Sequence, residues 1–184
     1  MGAIRDALDR ARASISTRPI PAKVGTRLGF LMKREGGSTK AVAARLGVSQ
    51  RTVQRWQKGT HAPSGKAAAA LEREVRADWQ PKVKAKAEAE AARHGIVVST
   101  RARFGFRAAA GSSDDARVRM ITQVISPEHT AAAFAAYRAG ASEAELEELF
   151  GDALGHSYFR DGGTRASGLG VHFTDVEHMD VDYG

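Results

Sequence analysis

The first half of the chain repeats apolar side chains at the spacing of amphipathic helices. Residues 4–16 carry one such stripe and residues 24–33 a second, separated by a proline-containing linker that cannot continue a helix. The alanine-rich residues 64–93 are helical in character, except that Pro81 should break or kink the helix because it lacks an amide hydrogen. The pattern therefore predicts a helical N-terminal half.

Two short helices joined by a tight turn are predicted for residues 39–58. The segment from Ala43 to Trp56 reads A-x-x-L-G-V-S-x-x-T-V-x-R-W. Gly47 supplies the left-handed conformation that glycine adopts at little cost, and the Ser49 hydroxyl can cap the helix that follows. These features predict a helix-turn-helix whose second helix presents a polar and basic face.

β-Branched residues become frequent after residue 95. The predicted strands are residues 96–98, 103–107 and 118–125, and the helices that follow are residues 126–138 and 141–156. Residues 171–181 again contain strand-like residues. We expect a small α+β domain in which two helices pack on an antiparallel sheet.

The combined pattern divides the chain into three parts. These are a helical domain at residues 1–80, a connecting basic helix at 81–95 and the α+β domain at 96–184. Lys82, Lys84 and Lys86 alternate in the connecting helix, so a period of 3.6 residues scatters them around it. Two interpretations of this helix stay open: a solvated connection, or an auxiliary arm that contacts phosphate.

Positive charge is concentrated in the first half of the chain. Residues 1–100 contain 20 lysines and arginines against 8 acidic residues, whereas residues 101–184 contain 8 against 13. A cationic domain favours a polyanion, because each neutralised phosphate releases condensed counterions. The anionic half is better suited to contact another protein.

The composition also bears on the cellular compartment. The chain has no cysteine, which excludes disulfides and thiolate metal sites and is typical of the reducing cytoplasm. No segment approaches the roughly 18 apolar residues that span a membrane, and the N-terminus lacks the apolar core of a signal peptide. We expect a cytoplasmic protein with no membrane partner.

The second helix of the motif carries residue types that read a DNA sequence. Arginine offers two parallel donors to guanine, and glutamine pairs bidentately with adenine in the major groove. Serine, threonine and lysine more often contact phosphate. The predicted DNA-binding residues are Ser49, Gln50, Arg51, Thr52, Gln54, Arg55 and Lys58, with Lys66 adding nonspecific attraction.

Other arrangements that support chemistry are weak in this sequence. The six histidines form none of the close helical pairs of zinc enzymes, and on a regular strand Asp175 would face away from His172 and His178. No metal ligand is therefore assigned. Ser112 and Ser113 lie in a polar turn between predicted strands, where local capping accounts for them. No Ser-His-Asp spacing is present, so no catalytic residue is assigned.

Six sequence blocks along the chain point to one family. They are residues 17–21 (TRPIP), 46–53 (LGVSQRTV), 71–76 (LEREVR) followed by 79–81 (WQP), 100–105 (TRARFG), 158–163 (YFRDGG) and 173–178 (FTDVEH). With these blocks the chain resembles, over nearly all its residues, the Tpg-type telomere terminal proteins that cap linear chromosomes and plasmids of Streptomyces and related actinomycetes. The helix-turn-helix alone is shared by many proteins, so the later blocks carry the resemblance.

The resemblance implies a protein primer. In that family a side-chain hydroxyl receives the first deoxynucleotide, a polymerase extends it, and the protein stays covalently bound to the 5′ end of the DNA. The family's acceptor is a threonine in a Gly-Thr-Thr-Asp-like turn. The matching positions here are Ser113, which is preferred, and Ser112, both before Asp114. Serine keeps the hydroxyl but departs from the threonine of the family.

The same resemblance implies the partners and the absence of an intrinsic cofactor. Telomeric DNA, a DNA polymerase and a telomere-associated protein are expected to bind the chain, which would act in the nucleoid at DNA ends. The polymerase would supply the divalent metal that phosphoryl transfer needs, so the chain would be a substrate and not an enzyme. The sequence leaves open whether the protein forms a homodimer.

Two alternatives remain at the level of the sequence. The first is a transcriptional repressor, for which the helix-turn-helix suffices and the C-terminal domain would bind a ligand or dimerise. The second is a nuclease or recombinase that uses Asp114, Asp115 and Asp175 as metal ligands, although no convincing motif supports it.

Overall fold

A computed structural model describes residues 2–107, 117–164 and 168–184, and it separates into two compact units. The helical unit is Ser16–Pro81, and the sheet unit combines Met1–Ile15 with Lys82–Gly184. Each unit has its own core of buried apolar side chains. The predicted fold class is confirmed: a mainly helical, helix-turn-helix-like N-terminal domain precedes a small α+β part with an antiparallel sheet.

Four helices build the helical unit. They are α2 (Val24–Arg34), α3 (Thr39–Leu46), α4 (Gln50–Gln57) and α5 (Gly65–Asp78). Their apolar stripes meet in one core, which contains Leu31 from α2, Val42 from α3, Val53 from α4 and Leu71 from α5. None of these short helices would be stable alone in water, so the shared core holds them in place.

The expected break at Pro81 is present. Helix α5 ends at Asp78, Gln80 adopts a positive φ of 50°, and α6 begins at Pro81 and runs to His94. Proline is favoured at the first position of a helix because its missing N–H has no intrahelical partner there. Trp79, between the two helices, donates a 2.9 Å hydrogen bond from Nε1 to the Arg18 carbonyl.

The N-terminal helix α1 (Ala3–Ser14) belongs to the sheet unit, so the division differs from the predicted domain at residues 1–80. Ile4 and Leu8 are fully buried in the core of the sheet unit. The Glu143 carboxylate accepts a 2.7 Å hydrogen bond from the Ile4 N–H at the start of α1. An amphipathic stripe shows that a helix has a partner but does not say which element that partner is.

Helix α6 also packs into the sheet unit, which corrects the interpretation of residues 81–95 as a solvated connecting helix. Ala91 lies in the core, and Lys84 is only 1% exposed. Glu88 is buried and accepts a 2.7 Å hydrogen bond from Arg12 of α1. Because Lys84 is inaccessible, it cannot act as part of a phosphate-contacting arm.

The sheet contains β1 (Ile96–Arg107), β2 (Arg117–Ile125) and β3 (Gly170–Asp182) in the antiparallel order β2-β1-β3. The predicted strands at 96–98 and 103–107 are wrong as separate elements, because one continuous strand spans both. Residues 99–102 contain no glycine or proline to start a turn, and their side chains continue the alternation of buried and more exposed positions.

Helices cover one face of this sheet. Helix α7 (Pro127–Arg138) and helix α8 (Glu143–Leu154), which continues into a π-helical turn at Gly155–Phe159, pack with α1 on the buried side of the strands. Phe104 of β1 is fully buried there, together with Phe150 of α8. The opposite face has no layer of helices in the described residues, and several apolar side chains of β2 are exposed on it.

Candidate DNA-binding interface

The turn between α3 and α4 is a Schellman motif. Gly47 has a φ of 66°, its N–H donates to the Ala44 carbonyl at 3.3 Å, and the Val48 N–H donates to the Ala43 carbonyl at 3.0 Å. These bonds satisfy carbonyls that the end of α3 leaves free, and Val48 packs against the core. The glycine therefore fixes the direction in which the chain enters α4.

Helix α4 begins with a side-chain cap. Ser49 Oγ accepts a hydrogen bond from the Thr52 N–H at 3.2 Å and lies 2.8 Å from the Thr52 hydroxyl. At the same end, Gln50 donates to the hydroxyl of Thr39 in α3 at 2.9 Å. Three residues predicted to bind DNA thus also order the start of the helix, where free N–H groups attract phosphate.

Two buried anchors hold α4 on the unit. Val53 is fully buried and Trp56 is 7% exposed, and both lie in the core with residues of the other helices. A spacing of three residues puts them on one side of the helix, so the intervening positions point away from the core. The large indole area makes Trp56 the main apolar contact of α4.

The opposite face of α4 is exposed, as predicted. Gln50, Arg51, Gln54, Arg55 and Lys58 are exposed together with Ser49, while Thr52 is half-buried. Within the described part of the chain, the side chains of Arg51, Gln54 and Arg55 have no hydrogen-bond or ion-pair partner. Their donors are available to a ligand without breaking an internal contact.

Arg45 forms an ion-pair cluster behind this helix. Its guanidinium donates to Asp78 at 2.7 Å, to Glu74 at 2.8 Å and to Glu35 at 3.1 Å. The hydrogen bond to Asp78 is the largest cause that raises the pKa of Arg45 above its usual value, although partial burial opposes the shift. Sequence reasoning missed this arginine, which links α3 to α2 and α5.

The acidic residues of the helical unit are all paired with arginine. Glu72, the fourth of them, accepts from Arg27 at 3.0 Å and from Arg76 at 2.8 Å, and these contacts lower its pKa. The unit has 13 lysines and arginines against these 4 acids, whereas the sheet unit has 15 against 17. The positive charge of the chain therefore belongs to the unit that carries α4, and it is not compensated on the face of that helix.

The predicted priming residues Ser112 and Ser113 lie outside the described residues, as do Asp114 and Asp115. The third acid of the nuclease hypothesis, Asp175, is on β3. In the ranges that the structure describes, no three histidine or acidic side chains are grouped to hold a metal ion.

The register of β3 corrects one sequence-based expectation. Two shifts along the β1–β3 pair place His172, Asp175 and His178 opposite Gly105, Arg103 and Arg101, which are alternate residues of β1. Directly opposed residues of antiparallel strands point to the same face. Asp175 therefore does not face away from the two histidines, because the irregularities reset the alternation that a regular strand would have.

The start of α7 brings together a serine, a histidine and an aspartate that the sequence analysis did not connect. Ser126 Oγ is 2.7 Å from His129 Nδ1, and His129 Nε2 is 3.5 Å from Asp152. Ser126 is also the N-cap of α7 and accepts from the His129 N–H at 3.4 Å. The capping role accounts for this contact, since the same hydroxyl is used to start the helix.

Comparison with known proteins gives one match. Residues 21–69 match the model of the homeodomain-like domain, which covers α2, α3, α4 and the start of α5 but less than half of the chain. Neither the curated proteins nor the solved structures yielded a match to the chain. The domain indicates DNA as a partner.

Among the helices of the described residues, none has both the length and the apolarity of a membrane span.

Proposed function

We propose that this chain is a telomere terminal protein that binds DNA through α4 and serves as a protein primer for a DNA polymerase. DNA binding is supported by the exposed face of α4. In the described structure Arg51, Gln54 and Arg55 on this face are unpaired, and the helix contains no acid. The resemblance of the six sequence blocks supports the priming part.

The division of charge supports separate tasks for the two units. The cationic helical unit would hold the DNA end, since a net excess of positive charge attracts the phosphate backbone. Ser112 and Ser113 fall between β1 and β2 in the sequence, and the acids of the sheet unit slightly outnumber its bases. It would contact the polymerase and a telomere-associated protein.

The priming step is a phosphoryl transfer to an alcohol. The Ser113 oxygen attacks the α-phosphorus of a deoxynucleoside triphosphate, a new P–O bond forms, and the bond to pyrophosphate breaks. The hydroxyl proton leaves to solvent or to a base of the polymerase. The polymerase holds the metal ions that neutralise the phosphates, so this chain supplies only the hydroxyl and its placement.

Incubation of the protein with template DNA, polymerase and one labelled deoxynucleotide should yield a protein-linked label. We expect Ser113→Ala to abolish the label and to leave DNA affinity unchanged, because the change removes only the acceptor oxygen. Mass spectrometry of the labelled peptide gives the position directly.

Two matched variants make this test specific. Ser112→Ala should still accept the nucleotide, and Ser113→Thr should accept it as well, since threonine retains the hydroxyl. Label that persists in Ser113→Ala would move the acceptor to Ser112 or elsewhere. No label on the wild-type chain, in a reaction where an established protein primer works, would overturn the priming proposal.

The DNA-binding face has its own test. Replacing Arg51 with alanine should weaken binding to the specific sequence by about 1–3 kcal/mol if this side chain reads a base, while nonspecific binding changes little. Fluorescence anisotropy with specific and scrambled duplexes measures both. Arg73→Ala is the matched control, because Arg73 is an exposed arginine on α5. An equal loss on both duplexes would assign Arg51 to phosphate contact.

A transcriptional repressor is the second candidate. The homeodomain-like match concerns the helical unit alone, and exposed apolar residues on β2 suit a C-terminal dimerisation domain. Sequence-specific DNA binding without any nucleotide transfer to the protein would favour this function over priming. The labelling experiment therefore separates the two candidates.

A further inference from the structure

Strand β2 is an edge of the sheet with an exposed apolar side. Met120 is 79% exposed, Val124 57% and Val118 40%, and all three lie on the face away from the helices. In the described residues the only strand that pairs with β2 is β1. An edge strand directs unpaired backbone N–H and C=O groups outwards, and a long apolar one is a template for another strand.

The other edge of the sheet is built differently. Strand β3 has two register shifts against β1 and exposes Asp175, Glu177, Asp180 and Asp182. Bulges and charges are the features by which proteins protect an edge from pairing. Strand β2 pairs with β1 over nine residues without a shift and contains no acid; its two charged residues, Arg117 and Arg119, lie on the other face from Val118, Met120 and Val124. The two edges thus differ in the way expected if only β2 receives a partner.

We infer that β2 pairs with β2 of a second copy of this chain, in antiparallel orientation about a two-fold axis at Ile121. The two three-stranded sheets then become one six-stranded sheet. The partner is the same chain because a two-fold antiparallel pairing of β2 with itself uses all nine residues of each strand, and closed two-fold pairs are the commonest assemblies.

The charges of β2 are compatible with this register. Pairing about Ile121 sets Arg117 opposite Ile125 and Arg119 opposite Gln123, so no arginine faces another arginine. Val118 is opposite Val124, and Met120 is opposite Thr122. Opposed residues share a face, so the exposed apolar side chains of both copies form one continuous strip. A slip of one residue would move this strip to the opposite face of the partner.

The arrangement gives each assembly two helix-turn-helix units. Such dimers recognise two half-sites, and a two-fold axis in the protein matches an inverted repeat in the DNA. This inference does not depend on priming, because the pairing of β2 is formed without DNA, nucleotide or polymerase.

The mass of the wild-type chain in solution is the first test. We expect a dimer by light scattering, and we expect Met120→Lys to raise its dissociation constant at least about tenfold, because two-fold symmetry introduces the charge twice in the strip. Ala132→Lys is the matched control, since it adds one lysine at an exposed alanine of α7. It should leave the dimer unchanged, and circular dichroism should show both variants folded.

Cross-linking tests the register, and the chain has no native cysteine to interfere. Val118→Cys mixed with Val124→Cys should form a disulfide-linked dimer, because the two positions face each other across the axis. Either variant alone should not, since its two cysteines are six residues apart along the strands, about 20 Å. A monomeric wild-type chain at its highest soluble concentration would overturn the inference. A dimer unaffected by Met120→Lys, or equal cross-linking of single and mixed variants, would overturn it as well.

Discussion

Replacing Trp56 with alanine should unfold most of the helical unit and abolish DNA binding. The indole is 7% exposed in a core built from four helices, and deletion of a buried aromatic ring costs about 3–5 kcal/mol. A unit of this size seldom has more than about 3–5 kcal/mol of folding free energy in total. The cost of removing Trp56 is therefore comparable to the whole folding free energy of the unit that keeps α4 in place. Urea unfolding followed by circular dichroism, together with duplex binding, measures both effects.

The other tryptophan provides the matched control for this change. Trp79 is only partly buried and packs edge-on against Phe30, with ring centroids 5.3 Å apart. Trp79→Ala should therefore lose less stability than Trp56→Ala and keep its DNA affinity. The sheet unit should unfold at the wild-type urea concentration in both variants, because its core contains no residue of the helical unit. Equal midpoints for the two variants would contradict the role given to Trp56.

Arg45→Ala should destabilise the helical unit by about 2–3 kcal/mol, because it leaves three carboxylates together without their common cation. Glu74 and Asp78 lie on α5, Glu35 caps the C-terminus of α2, and the guanidinium holds all three to α3. Its side chain is only 23% exposed, so solvent screens these pairs weakly. The midpoint of chemical unfolding, at an unchanged slope, reports the loss.

Arg73 is a suitable control for Arg45, since it also contacts Glu74. Its Nε is 3.4 Å from that carboxylate, but its side chain is 67% exposed. Exposed ion pairs contribute about 0–1 kcal/mol, so Arg73→Ala should shift the midpoint only slightly. Arg45→Lys should recover part of the loss in Arg45→Ala, because one ammonium cannot reproduce the three directed contacts. If Arg45→Ala shifted the unfolding midpoint as little as Arg73→Ala does, the cluster would add no stability.

Local signals explain why the helix-turn-helix could be predicted from the sequence. Gly47, Ser49 and the spacing of Val53 and Trp56 each specify a turn, a cap or a buried face within a few residues. The exposed position of Arg51 follows from the same periodicity. The arrangement of the cluster around Arg45 could not be predicted, because Glu74 and Asp78 lie 29 and 33 residues further along the chain.

The sheet unit shows where local pattern is insufficient. The stripe of α1 indicated a buried face, but its main partners are β3 and α8, which lie more than 120 residues away in sequence. The continuity of β1 depends on pairing with both neighbours along its length. The shifts along β3 carry no sequence signature that a period of two residues would detect. Contacts between residues far apart in sequence therefore determine the partners of α1, the continuity of β1 and the register of β3, which local patterns do not predict.

The separation of the chain into two units has an optical consequence. Both tryptophans, Trp56 and Trp79, belong to the helical unit, whereas all three tyrosines, at positions 137, 158 and 183, belong to the sheet unit. Indole emission thus reports on the DNA-binding unit alone, and phenol absorbance reports on the other unit. A single unmodified sample can reveal whether the two units melt together or one after the other, and which of them responds when DNA is added.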